Sequence, residues 1–85
     1  MEMKWCVKKV TAMEGHRLLC QFADGSQKIY DMTPFLDMPV FRKLKSVETF
    51  RSVRCDGQTV YWDEMADIAP ETLYKDGLPV TVLQN

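Results

Sequence analysis

The sequence has little of what site chemistry most often needs. It holds a single histidine, His16, and three cysteines, Cys6, Cys20 and Cys55, with no Cys-x-x-Cys pair. A structural zinc site wants four ligands at paired spacing, which this set does not supply. An odd, sparse cysteine count also argues against a disulfide-stapled secreted domain. No apolar run is long enough for a membrane span or for the core of a signal peptide, and with no leader the expected compartment is a reducing cytoplasm. Four glycines and four prolines are too few for a low-complexity chain. A net charge of −1 gives no bulk electrostatic grip on DNA or anionic lipid. Neither a GxxxxGK(S/T) loop nor a GxGxxG turn is present, so nucleotide binding has no motif behind it.

What is present has the make-up of one small globular domain. The 85 residues are 46% apolar and 27% charged, which is enough for a single core and argues against disorder. Residues 4–13 are rich in β-formers and end at Glu14-Gly15-His16, a hairpin break. Residues 17–22 alternate, with Leu18, Cys20 and Phe22 on one face. Asp24-Gly25 suits a tight turn, and 27–32 returns as a third strand. Thr33 before Pro34 reads as a helix N-cap with proline at the first helical position. Beyond Pro39, residues 40–44 continue as helix, with Val40, Phe41 and Leu44 toward the sheet.

The second half repeats this grammar. Residues 50–55 read as a strand, Asp56-Gly57 as a turn and 59–62 as the partner strand. A short helix over 69–74 starts near Pro70 and cannot pass Gly77 and Pro79. The expected fold is α+β, one domain over 1–85 with its core at 4–75. Its mainly antiparallel five-stranded sheet is a three-strand meander plus a hairpin, with two or three short helices packed on it. Residues 76–85 are a tail or an edge strand.

Charge divides unevenly, with residues 1–55 at +4 and residues 56–85 at −5. The basic side chains Arg42, Lys43, Lys45, Arg51 and Arg54 cluster in the middle and are the candidate nucleic-acid contacts, with Phe41 and Phe50 as stacking partners if exposed. Asp63, Glu64, Asp67 and Glu71 are the candidate metal or acid–base group, but they lack the spacing and mid-loop glycine of a calcium loop. Asp67 and Glu71 are better placed to favour the following helix. His16 falls in an exposed turn with no orienting carboxylate, and Cys20 shares an apolar strand face, where a thiol is inert. No catalytic residue, cofactor or metal is therefore expected.

A set of segments in fixed order adds a resemblance. Phe22-Ala23-Asp24-Gly25-Ser26 is followed by Tyr30-Asp31-Met32-Thr33-Pro34-Phe35-Leu36, then by Phe41, Leu44 and Phe50. Val60-Tyr61-Trp62 comes next, and the set closes with 66–74, Ala66-Asp67-Ile68-Ala69-Pro70-Glu71-Thr72-Leu73-Tyr74. Over most of the chain, from Val7 to Tyr74, this resembles the small bacterial family catalogued as domain of unknown function two-four-four-two. Asp63-Glu64-Met65 departs from the Asn-Gly-like turn that usually follows the family's tryptophan. The resemblance implies a small α+β fold, no established catalysis and genes often placed beside small toxin-like proteins. Some relatives add a helix-turn-helix, for which the residues after Tyr74 leave no room.

The expected function is a non-enzymatic protein-interaction module, antitoxin-like in a two-protein pair with a small toxin-like partner. A homodimer is the other arrangement weighed, and no membrane is involved. Partner contact is expected at a sheet edge or at Val80, Val82 and Leu83, apolar residues beyond the Gly77/Pro79 break. The alternatives are nucleic-acid binding through the basic segment 42–54, and a small enzyme or metal protein using Asp63, Glu64, Asp67 or His16.

Overall fold

The computed structural model describes residues 3–80. β1 (Val7–Met13), β2 (Arg17–Phe22) and β3 (Gln27–Asp31) form the antiparallel meander. Alternation along β2 buries Leu18, Cys20 and Phe22, while Leu19 pairs with Thr11 and Ile29 on the outer face. The β2–β3 turn needs positive φ, and Gly25 takes it at 89° while Asp24 Oδ1 accepts from the Ser26 N–H at 2.8 Å.

The chain then leaves the sheet in 3₁₀ rather than α geometry, over Thr33–Phe35 and Pro39–Lys45. Thr33 is not the cap expected of it. Met32 holds that position, and Asp31 Oδ1 accepts from both the backbone N–H and the hydroxyl of Thr33, at 3.0 and 2.7 Å. Prolines at 34 and 39 stand in the first turn of each piece, where a missing N–H has no helical partner to lose.

The predicted strand over 50–55 is divided: Phe50 and Arg51 close a helix, Ser52 and Val53 follow it, and the last two residues are extended. α1 spans Val47–Arg51, with Ser46 as N-cap accepting from the Thr49 N–H, and only Arg54–Cys55 is extended, as β4. The Ser46-Val47-Glu48-Thr49 cap was the available signal, and it outweighs the β-propensity of Phe50 and Val53. β5 (Val60–Tyr61) pairs with β4 across the Asp56-Gly57 turn. β6 (Asp67–Ile68) pairs with β5, a strand the alternation had not disclosed because it is two residues long. α2 (Pro70–Asp76) has Ala69, not Asp67, at its N-cap, and β7 (Leu78–Pro79) follows it.

Instead of one five-stranded sheet there are two, in the orders β1-β2-β3-β7 and β4-β5-β6. β4 lies beside β1 without joining its ladder; the link is the Val7 N–H, which donates to the Gln58 carbonyl at 3.0 Å. The core lies between the two sheets. Leu18 and Val7 meet Leu44, Phe50, Val60 and Leu73 there, each no more than 3% exposed. Full burial of side chains of this size contributes about 1.5–3 kcal/mol each. Trp62 closes the cluster, its Nε1 donating to the Phe50 carbonyl at 2.9 Å. No helix among the described residues is long and apolar enough to cross a membrane.

Candidate interaction surface

Where β3 ends, the Asp31–Thr33 contacts turn the chain sharply and bring Phe35 back over Tyr30. The two rings stack at 5.8 Å with 5° between their planes, and both remain half-buried. Met32 beneath them is 1% exposed, so the rings sit on the core rather than in it. On one side of the pair is a recess of about 280 Å³ walled by Met38, Phe41, Ile68 and Ala69. On the other is a larger one of about 620 Å³ walled by Ile29, Pro34, Leu78 and Pro79. Met38 and Leu78 are 47% and 71% exposed, one at each flank. Arg17, Asp31, Asp67 and Asp76 line the two recesses, so acid outnumbers base there.

Neither outer edge of the four-stranded sheet offers a long free ladder. β7 engages only Lys28 and Ile29 and carries Pro79, which has no N–H to donate. β1 has a register irregularity between Val7 and Lys9, and α1 and β4 lie beside it. Bulges and prolines at edges are devices that discourage strand addition.

The residues singled out from the sequence are dispersed. The Val80 N–H donates to the Gln27 carbonyl at 3.0 Å, prolonging the contact of β7 with β3. Val82 and Leu83 lie outside the described residues. Among the basic side chains, Arg42 donates to the Asp37 carbonyl at 3.0 Å, Lys45 pairs with the Asp37 carboxylate at 2.8 Å, and Lys43 pairs with Asp63. Arg51 is on α1 rather than on a strand with Arg54, and the two line different recesses. Phe41 packs edge-on against Trp62 at 6.2 Å and Phe50 is 2% exposed, so neither is a free stacking platform.

The acidic stretch is organised as a turn. Asp63 Oδ1 accepts from the N–H groups of Met65 and Ala66, both at 2.9 Å. The Lys43 contact first, and these N–H groups second, hold its carboxyl below the ordinary carboxylate range. Glu64 is exposed and Asp67 belongs to β6. Among the described residues no group of three His, Cys, Asp or Glu side chains could hold a metal ion. His16 is not the exposed residue expected. It is half-buried, with its ring 4.9 Å from that of Phe50. Burial, with Cys55 nearby adding to it, pushes the Cys20 thiol up to about 12, which keeps it protonated. The Tyr30–Phe35 surface escaped the sequence because its members come from strands, helices and turns spread from Arg17 to Pro79. The one local signal was Asp31-Met32-Thr33-Pro34, a tight reversal between two aromatics.

Residues 7–78 match the family described as Protein of unknown function (DUF2442), and the chain belongs to it. No curated protein and no solved structure matches the chain.

Proposed function

We propose that this member of the DUF2442 family is a non-enzymatic protein-interaction module that receives a partner protein on its Tyr30–Phe35 face. In this reading it acts in the bacterial cytoplasm as the neutralising, antitoxin-like member of a two-protein pair. The observation that carries the proposal is the stacked Tyr30–Phe35 pair, left half-buried with an apolar recess on either side and exposed Met38 and Leu78 at the flanks. Aromatic anchors flanked by pockets are what binding energy concentrates on, and contiguous apolar surface on a small domain marks a contact face. The blunted sheet edges direct docking to this face rather than to strand addition. Asp31, Asp67 and Asp76 against Arg17 favour a partner whose apolar side chains are flanked by lysine or arginine.

The test is purification of the tagged full chain from its own cells, followed by native mass spectrometry, for three proteins. The unsubstituted chain is expected to carry a second protein at fixed stoichiometry. A Met38→Glu, Leu78→Glu double variant is expected to lose it, and Val47→Glu, an equally exposed apolar-to-acid change on α1, to keep it. Retention of the partner by the double variant overturns the assigned face. A chain that emerges alone, or only as copies of itself, overturns the pair.

A further inference from the structure

A separate recess lies at the opposite end of β2 from the Asp24–Gly25 turn. It has a volume of about 340 Å³ and runs between the β1–β2 hairpin and α1. Ala12 and Met13 form one wall, and Val47 and Phe50 the other. Val47 is 57% exposed, so the apolar lining reaches the surface. Three groups with charge or a polar head complete it: Glu14, His16 and Arg51.

Two of these have unmet capacity. Arg51 is exposed, and no hydrogen bond or ion pair engages its guanidinium among the described residues. His16 carries the one buried side-chain nitrogen or oxygen left without a hydrogen-bond partner among those residues, Nε2. Such an atom in a folded protein calls for an explanation, and a missing ligand is one of them. The imidazole is also held unusually. His16 takes φ of 56°, next to Gly15 at 79°, so the hairpin holds its backbone in the left-handed region, and its ring rests 4.9 Å from that of Phe50.

We infer that this recess binds a small organic anion, one carboxylate carried on an apolar body. The apolar body lies on Val47, Met13 and Ala12, above the buried Phe50, and the carboxylate takes the guanidinium of Arg51, which matches it in charge and planarity. A turn of the imidazole brings the unpaired nitrogen of His16 to the same oxygens and gives it the partner it lacks. Glu14 at the lip sets the charge limit, because a second negative group on the ligand would face it. The volume is at the lower end of the range for small-molecule sites, so the body is about the size of a single ring. The inference is independent of the partner surface, with which this recess shares no residue.

Three near-isosteric probes test it by amide chemical-shift titration of the full chain: phenylacetate, its neutral amide phenylacetamide, and the cationic phenethylamine. Phenylacetate is expected to give saturable shifts centred on Gly15, His16 and Arg51, with both other probes at least about tenfold weaker, as expected for loss of a charge-assisted contact. Arg51→Gln, an exposed change, is expected to weaken phenylacetate by about the same factor without altering the melting temperature. Equal binding of the three probes, equal binding by the Arg51→Gln protein, or no localised shift with phenylacetate each overturns the assignment.

Discussion

The hydroxyl of Tyr74 on α2 donates to Oδ2 of Asp24 in the β2–β3 turn at 2.6 Å, joining groups that are 50 residues apart. The same ring meets Phe22 edge-on at 5.0 Å and has Lys28 Nζ 3.8 Å from its centroid. Lys28 Nζ also donates to the Tyr74 carbonyl. One tyrosine therefore holds the last helix to the meander by packing, a cation–π contact and hydrogen bonding. α2 in turn carries Thr72 and Asp76, which line the two recesses beside the Tyr30–Phe35 pair.

The first prediction concerns acid. Asp24 is held down to about 2 from an ordinary 3.8, chiefly by the Ser26 hydroxyl, then by Tyr74 and the Ser26 N–H. A carboxyl whose pKa is lower folded than unfolded stabilises the fold while ionised. Its contribution is complete above a pH of about 4 and is lost as the pH falls toward 2. Asp31, Asp37, Asp56 and Asp63 are shifted the same way, so Asp24→Asn should flatten the acid limb of a stability–pH curve without abolishing it. Urea midpoints across that range measure this. Tyr74→Phe should act on the same interaction, so the double variant should lose less than the two single losses combined.

Gly77 yields the second prediction, from close approach rather than from a special dihedral. A Cβ there would stand 2.6 Å from the Leu73 carbonyl oxygen and 2.9 Å from Lys28 Cβ, at the point where α2 gives way to β7. The carbonyl is backbone and already accepts from the Gly77 N–H at 2.9 Å, so it cannot step aside. Gly77→Ala should cost about 1–3 kcal/mol in urea unfolding, the range for forcing an atom into filled space. At Gly25 the space is open but φ is 89°, so Gly25→Ala should cost about 1–2 kcal/mol through the left-handed backbone alone.

Trp62 supports a third. Its ring is 9% exposed and tilted against Phe50 at 5.8 Å, while Nε1 satisfies the Phe50 carbonyl. Trp62→Phe keeps an aromatic and leaves the Phe50 carbonyl with the Val53 N–H at 3.3 Å, but it removes the Nε1 bond and opens a gap, at a cost of roughly 1–3 kcal/mol. The measurement is the urea midpoint with an unchanged slope.

How much of this was legible depended on the range of the causes. The meander could be read because its register is set by neighbours in sequence, namely the alternation at Leu18-Cys20-Phe22 and the Asp24-Gly25 turn. β6 could not, since two residues carry no period, and β7 was open only as the edge-strand alternative for residues 76–85; they exist because Trp62 and Ala66 bond across the Asp63 turn and because Gly77 permits a close return to β3. The strand expected at 50–55 failed where a serine cap started a helix that buries Phe50 by packing instead. The Tyr30–Phe35 surface was the least legible, because it is assembled by tertiary contact alone.

The end of the chain provides the last prediction. β7 adds one short pair to the edge of β3, and Leu78 is 71% exposed, so residues 78–80 contribute little of the described core. A chain stopped after Gly77 should stay folded. It loses the ladder bonds at Ile29 and the Val80–Gln27 bond, a net cost of about 1–3 kcal/mol at ordinary hydrogen-bond values. A chain stopped after Ala69 also loses α2, with the fully buried Leu73 and the Tyr74–Asp24 clamp, and should not fold at all. Circular dichroism and urea unfolding of the two truncations separate these outcomes. If the shorter cut alone unfolds the chain, β7 is a structural strand in its own right. If it leaves the fold intact and a partner is lost, Leu78 and the residues after it belong to the contact face.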